Sequence, residues 1–267
     1  MIFSLDFWIA VFASYFGAII GSFLNVCIVR MPHEKSVVMP ASHCVHCKKP
    51  ILWYDNIPLV SFFILGGKCR FCKKRISVQY FIVELVTAAF FGCFYLYFGI
   101  SWAWVAYVIF VSGLIVATFI DIEHRIIPDE ISLGGMVVGL ILSFLLPELH
   151  GASSHWLSLW RAFLGALIGG GAIYAMGLLG DFIFKKESMG GGDVKFLAMI
   201  GAFLGWPQAL LTFFLAALFG AVGGIIVKIR TKESVIPYGP FLALAALVSL
   251  FYSQPLIDWI LSGYGIY

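Results

Sequence analysis

Long apolar runs constrain the fold of this chain more than any other feature of its sequence. Runs close to the length of a membrane span recur at 7–29, 80–98, 102–120, 131–147 and 160–184. A helix of about 20 apolar residues crosses the hydrocarbon core of a bilayer. Only 12% of the 267 residues are charged, against about a quarter in soluble domains. The sequence therefore predicts an all-α polytopic membrane protein rather than a soluble one.

The apolar stretch that follows Asp193 and runs to Val227 is too long for one span. As a single helix of about 34 residues it would be about 51 Å long, whereas the hydrocarbon core is about 30 Å thick. Pro207 divides it, because proline removes a backbone hydrogen-bond donor. The last apolar run covers 238–260, so we predict about eight transmembrane helices.

Basic residues indicate the orientation of these helices. If the polar segment 30–79 lies in the cytoplasm, alternate connections place most other lysines and arginines on the same side: Arg125, Lys185, Lys186, Lys195, Lys228, Arg230 and Lys232. Arg161 alone falls on the opposite side, so this orientation agrees with the excess of basic residues that cytoplasmic loops carry. We therefore expect both termini outside. The run 7–29 has no basic residue before it, and we expect a retained helix rather than a signal peptide.

Segment 30–79 contains two cysteine pairs with metal-binding spacing, Cys44-x-x-Cys47 and Cys69-x-x-Cys72. Four thiolates at this spacing are typical of a tetrahedral zinc site. Lysines and arginines beside the cysteines favour the thiolate form. A membrane thiol oxidoreductase, with each pair as a redox couple, is the alternative, but disulfides do not persist in the cytoplasm. We predict a structural Zn²⁺ bound by all four cysteines.

Two aspartates mark the predicted cytoplasmic boundary of the membrane. Asp121 follows the run 102–120, and Asp193 begins the stretch that Pro207 divides. An ionisable residue at the edge of the bilayer suggests a functional site. Two carboxylates that share one proton can supply an acid and a base, which together hydrolyse a peptide bond without a covalent intermediate. The alternatives are that Asp121 pairs with Arg125 and that Asp193 caps a helix.

Further candidate residues surround these aspartates or lie within the apolar runs. Gly190 and Gly192 would let an extended substrate backbone approach closely, and Lys195 is grouped with them as a candidate substrate-binding residue. Glu84 lies about a turn into an apolar run, where a carboxylate needs a partner or a site, and it is a further candidate for substrate or cofactor binding. Asp129, after Pro128, is predicted to be a helix N-cap.

Several motifs occur in an order that resembles the bacterial type IV prepilin peptidase family, of the aspartyl intramembrane type. The motifs are Gly21-Ser-Phe-Leu-Asn25, the two cysteine pairs, Asp55-Asn-Ile-Pro58, Gly67-Lys68-Cys69-Arg70, Asp121 with Ile127-Pro128-Asp129, Met189-Gly-Gly-Gly-Asp193-Val-Lys195 and Pro237-Tyr-Gly-Pro240. They are spread over nearly the whole chain.

The resemblance implies an inner-membrane enzyme that removes the basic leader from type IV prepilins or pseudopilins at the cytoplasmic side. It also implies N-methylation of the new terminus by S-adenosylmethionine. By motif, Asp121 and Asp193 are the catalytic pair, and Gly67 and Lys68 belong to the segment linked to methyl transfer. We expect a methyltransferase region at 1–98 and a six-span peptidase domain at 99–267, surrounded by membrane lipid and without a nucleic-acid partner.

Two alternatives remain beside this function. One is a peptidase alone, whose zinc loop only docks the substrate. The other is a proton-coupled polytopic transporter that uses Asp121, Asp193 and Glu84 as proton carriers.

Overall fold

The structure is a computed structural model, and it describes residues 5–185, 189–231 and 236–263. Over these ranges the chain is helical, with isolated β-bridges only in segment 43–75. The all-α prediction is confirmed. The helices are α1 (Leu5–Arg30), α2 (Val60–Ile64), α3 (Val78–Phe98), α4 (Trp102–His124), α5 (Asp129–Leu145), α6 (His155–Phe184), α7 (Gly191–Leu204), α8 (Trp206–Thr231) and α9 (Gly239–Gly263). Short 3₁₀ helices cover Met31–His33, Trp53–Asp55 and Pro147–His150.

Five of the described helices are long and apolar enough to cross a membrane: α1, α3, α4, α6 and α8. Helices α5 and α7 have 17 and 14 residues, and Gly239–Ser253 of α9 is a shorter apolar stretch. The chain is a multi-pass membrane protein. The count of eight spans and the orientation stay predictions, and Lys186 and Lys232 of the predicted basic side lie outside the described residues.

The predicted break before Pro207 is confirmed. Helix α7 ends at Leu204, and Gly205 adopts a φ of 89°, which an L side chain would disfavour. Helix α8 then begins at Trp206 with Pro207 in its first turn. Proline is tolerated there because the first N–H groups of a helix have no partner inside it.

The structure divides into two compact units, the N-terminal unit Met1–Val116 and the C-terminal unit Ala117–Tyr267, with the division inside α4. The predicted domain boundary at residues 98 and 99 stays a prediction. Small residues allow close helix packing in each unit. A Cβ at Gly21 of α1 would lie 2.8 Å from the Cα of Glu84 on α3. In the C-terminal unit the backbones of α6 and α7 meet at Gly165 and Gly201, where neither helix has room for a side chain.

Candidate active site and metal centre

The two cysteine pairs adopt the same local backbone in the N-terminal unit. In the first, the N–H of Lys48 donates to the Cys44 carbonyl at 2.9 Å, and in the second, the N–H of Lys73 donates to the Cys69 carbonyl at 3.0 Å. Both lysines adopt left-handed backbone, with φ of 59° and 58°. Each pair is therefore a tight turn that presents two sulfurs in the same direction.

The four sulfurs form one cluster. The Sγ atoms of Cys44 and Cys72 lie 3.9 Å apart, and those of Cys47 and Cys69 lie 4.0 Å apart. All four ligand atoms lie within 4.8 Å of one another. A tetrahedral ion with Zn–S bonds of about 2.3 Å would place its sulfurs about 3.8 Å apart. The cysteines therefore fit a tetrahedral metal ion.

Backbone dipoles favour the thiolate form of Cys69, which ionises more readily than Cys72 in this cluster. The N–H groups of Cys72 and Phe71 lower the pKa of the Cys69 thiol to about 6. The thiolate is the form that binds a metal.

Gly67 and Lys68 lie in the turn that leads into the second cysteine pair, where Gly67 has a φ of 64° and Lys68 is exposed. Beyond them, the guanidinium of Arg70 donates two hydrogen bonds to the Asp55 carboxylate, at 2.7 and 2.6 Å. This pairing lowers the pKa of Asp55. It also joins the 3₁₀ helix Trp53–Asp55 to the metal cluster.

Glu84 finds its partners within the N-terminal unit. The backbone N–H of Leu59 donates to its Oε2 at 2.7 Å, and the hydroxyl of Ser22 on α1 also hydrogen-bonds to its carboxylate. Nearby, the side-chain amide of Asn25 donates to the Tyr80 carbonyl at 3.0 Å. These contacts join α1, α3 and the loop before α2. They account for the polar residues of the Gly21–Asn25 motif.

Asp121 is buried at the last turns of α4, with 5% of its surface exposed. Its Oδ2 accepts the N–H of Gly239, the first residue of α9, at 2.7 Å. The N–H groups at a helix start carry a partial positive charge and lack partners inside the helix. The carboxylate therefore supplies a partner that the start of α9 would otherwise lack.

Asp193 lies in the first turn of α7 and is half-buried. Gly190 occupies the N-cap position, so the alternative in which Asp193 caps this helix is wrong. The Oδ2 of Asp193 lies 3.6 Å from the point where a Cβ of Gly190 would be. Its side chain is therefore turned back towards the glycines.

The two aspartates lie at the same end of the C-terminal unit. The charge of Asp121 acts on Asp193, and burial, together with the charge of Asp193, raises the pKa of Tyr238 to about 12. Tyr238 directly precedes Gly239, the partner of Asp121. Three helix ends thus bring two carboxylates, a phenol and a backbone N–H together. Whether the two aspartates are catalytic stays a prediction.

The remaining predicted residues of this region join α5 to α7. Helix α5 begins at Asp129 with Pro128 at the N-cap position, so the prediction that Asp129 is an N-cap is wrong. The Asp129 carboxylate instead accepts from the Lys195 ammonium at 2.7 and 3.0 Å. A Cβ at Gly192 would lie 3.4 Å from the Cβ of Ile127, an ordinary contact. The substrate-binding roles of Gly190, Gly192 and Lys195 stay predictions.

Tyr238 and Gly239 were not among the predicted site residues. The available signal was the Pro237-Tyr-Gly-Pro240 motif at the start of the last apolar run, where the backbone lies at a predicted membrane boundary. No local pattern reveals that the Gly239 N–H meets a carboxylate 118 residues earlier in the chain.

Comparisons with known proteins agree with these observations. Residues 15–98 match the bacterial peptidase A24 N-terminal domain, and residues 108–225 match the type IV leader peptidase family. A prepilin leader peptidase/N-methyltransferase of Myxococcus xanthus (strain DK1622) is 38% identical over 226 residues, which cover 84% of this chain and 65% of the relative.

Two further relatives are covered over most of their length. A protein of the same description from Stutzerimonas stutzeri is 35% identical over 264 residues, covering 89% of both chains. The type 4 prepilin-like proteins leader peptide-processing enzyme of Escherichia coli O78:H11 is 34% identical over 262 residues, covering 90% of this chain and 93% of the relative. No solved structure matches the chain. On these matches, the chain belongs to the type IV leader peptidase family.

Proposed function

We propose that this chain is a prepilin leader peptidase and N-methyltransferase of the bacterial inner membrane, with its peptidase site at the cytoplasmic face. Its substrates are type IV prepilins or pseudopilins. The observation that carries the proposal is the position of Asp121 and Asp193 at one end of the C-terminal unit, within the part that matches the leader peptidase family. The relatives from Myxococcus xanthus and Stutzerimonas stutzeri are named for both cleavage and methylation.

In the peptidase step, Asp121 acts as the base and Asp193 as the acid. The Oδ2 of Asp121 already accepts the Gly239 N–H, so its other oxygen takes the proton from the attacking water. Protonated Asp193 donates its proton to the oxygen of the scissile carbonyl as the water oxygen bonds to the carbon. When the C–N bond breaks, the leaving amine takes up a proton from the pair.

The surroundings of Asp193 suit an extended substrate. Within the part of the chain that the structure describes, no atom lies within 4 Å of the point where a Cβ of Gly191 would be, and Gly190 meets only the carboxylate itself. A substrate backbone can therefore approach Asp193 along the glycines. An apolar pilin helix would enter from lipid, with its basic leader directed towards the cytoplasm, so that the cleavage site lies at the depth of the carboxylates.

The cysteine cluster would hold a structural Zn²⁺ through Cys44, Cys47, Cys69 and Cys72. Segment 30–77 has few buried residues, and so small a segment cannot form a large core of its own. A bound ion would therefore stabilise its fold. S-Adenosylmethionine supplies the methyl group when it is bound.

Cleavage of a purified prepilin tests the catalytic pair. We expect Asp121→Asn and Asp193→Asn to abolish cleavage, because an amide neither accepts nor donates the shared proton. Glu123→Gln is the matched control, since Glu123 is exposed and only two residues from Asp121, and it should retain activity. Near-normal cleavage by either aspartate variant would refute the assignment.

Mass spectrometry of the mature pilin tests the second activity. A methyl group on the new N-terminus, dependent on S-adenosylmethionine, is expected. An unmodified amine after complete cleavage in its presence would leave a peptidase alone.

A further inference from the structure

A cavity of roughly 340 Å³ lies within the N-terminal unit, which does not contain the aspartate pair. One wall is formed by α1 through Tyr15, Ile19, Ser22 and Phe23, and the other by the loop before α2, including Asn56 and Pro58. Its volume falls within the range of about 300–1,000 Å³ that is typical of sites for small organic ligands. The peptidase step proposed above uses none of these residues.

The walls combine aromatic faces with a few polar groups. Tyr15 and Phe23 can stack on a planar ring or contact a cation. The hydroxyl of Ser22 and the amide of Asn56 can hydrogen-bond to a polar ligand. Such a mixture of aromatic and polar groups is common in ligand sites, and Tyr15, Ile19 and Phe23 are 44–50% exposed, so the cavity opens at the surface of α1.

A carboxylate lies directly behind the same walls. Glu84 accepts from the N–H of Leu59, next to wall residue Pro58, and from Ser22, which is itself a wall residue. Among the described residues, no lysine or arginine forms an ion pair with Glu84. A half-buried carboxylate without a cationic partner makes the neighbouring cavity favourable for a positively charged ligand.

We propose that this cavity binds the methyl donor, S-adenosylmethionine, with its sulfonium in the field of Glu84; this inference rests on the proposed methyltransferase function. The donor matches each property of the site, since it carries an aromatic base, a polar ribose and a positive sulfur. Glu84 acts as a positioning residue that also supplies charge: it holds the Pro58 loop against α1 through Leu59 and Ser22.

Charge also favours turnover at such a site. In the transfer, the S–CH₃ bond breaks and an N–CH₃ bond forms at the new amino terminus, after its ammonium has released one proton to water. The donor leaves as a neutral thioether, S-adenosylhomocysteine. A carboxylate beside the sulfur attracts the sulfonium but not the thioether, so the product is released more readily than the donor.

Binding of the two forms to the full chain in nanodiscs, measured by calorimetry, tests the proposal. The wild type should bind S-adenosylmethionine more tightly than S-adenosylhomocysteine. Glu84→Gln keeps the size of the side chain and a hydrogen-bond acceptor but removes the charge, and should reduce this preference by about tenfold. A preference equal to that of the wild type would overturn the role of Glu84.

A pair of matched variants on α1 tests the cavity itself. Ile19→Trp should fill it and weaken binding of both forms at least tenfold, while leader cleavage continues. Val11→Trp is the control, because Val11 is as exposed as Ile19, at 45% and 44%, and does not line the cavity. Unchanged donor binding in Ile19→Trp, in a protein whose wild type methylates pilin, would overturn the proposal.

Other outcomes separate the cavity from the proposed function. If the wild type neither binds the donor nor methylates pilin, the methyltransferase function itself fails. If Ile19→Trp lowers cleavage and methylation in equal proportion with donor binding unchanged, the cavity receives a pilin helix or a lipid chain instead, which overturns the proposal. Should Ile19→Trp lower the Tm markedly, Glu84→Gln decides the question.

Discussion

Replacing Gly239 by alanine tests how Asp121 is held. A Cβ at this position would lie 2.8 Å from Oδ2 of Asp121 and 3.2 Å from its Cγ. An ordinary contact begins near 3.4 Å, so the carboxylate must retreat by about 0.6 Å, and it has little room because Asp121 is only 5% exposed. A hydrogen bond that is now 2.7 Å long would then exceed the usual N–H···O range of about 2.7–3.2 Å.

The expected effect is on catalysis. A hydrogen bond to a charged group contributes about 1.5–3 kcal/mol, which corresponds to about a 10- to 150-fold loss of rate. We expect kcat for prepilin cleavage to fall within this range with KM nearly unchanged, because the variant alters the reacting carboxylate rather than the contacts to the leader. Gly239 is not among the described glycines with positive φ, so alanine should not strain the backbone.

The assay is cleavage of a purified prepilin under single-turnover conditions, with methylation of a pre-cleaved pilin as a second readout. Gly134→Ala is the control, since a Cβ there meets no atom of the described residues within 4 Å, and it should cleave normally. Methylation should survive in Gly239→Ala if that activity belongs to the N-terminal unit. Cleavage by Gly239→Ala at the wild-type rate would refute the view that the start of α9 positions Asp121.

Three further predictions concern the metal, pH and the surface ion pair. Cys69→Ser should reduce bound zinc from about one ion per chain to well below one, measured by elemental analysis, because one of four ligands is lost; full zinc content would contradict the cluster. Burial lowers the pKa of His150 to about 4, so between that value and about 6.5 the unfolded chain binds a proton that the folded protein does not. Lowering the pH from 7 to 5.5 should therefore remove about 1.2 kcal/mol of stability and lower the Tm more in the wild type than in His150→Asn; equal shifts would contradict this origin. Lys195→Met should change stability by less than about 1 kcal/mol, since its pair with Asp129 is exposed; a tenfold loss of cleavage would instead show a direct role in substrate binding.

The apolar runs predicted the helices well because a helix that crosses lipid must consist mostly of apolar residues. The break at Pro207 followed from length and proline chemistry alone, and the structure places it between Leu204 and Trp206. The start of α5 was less predictable. Asp129 resembled an N-cap in sequence, but the helix begins at that residue, and its carboxylate is bound by Lys195, which is 66 residues away. A local pattern cannot reveal a competing partner from another helix.

The same limit explains which site residues were found. The cysteines were predictable because their spacing alone specifies a tight turn, and the structure brings all four sulfurs together. Asp121 and Asp193 stood out because carboxylates at a membrane boundary are rare. Gly239 acts through its backbone N–H, and every residue except proline has one. Only the three-dimensional arrangement shows that this particular N–H is used.

Both aspartates lie at or beside helix starts, where a membrane protein has backbone N–H groups without partners in their own helix. Inside a span, every N–H is engaged within its own helix, and lipid supplies no other partner. Helix starts are the exception, because their first N–H groups are free. Asp121 uses the start of α9, and Asp193 lies in the first turn of α7 beside glycines that leave its backbone accessible. A site at these positions holds two carboxylates where a helix from lipid meets the aqueous boundary, and the ion pairs of Asp55 and Asp129, among the described residues, involve neither of them. That arrangement suits hydrolysis of a peptide bond next to a membrane-embedded segment better than proton movement across the bilayer, which would require further ionisable groups along the spans.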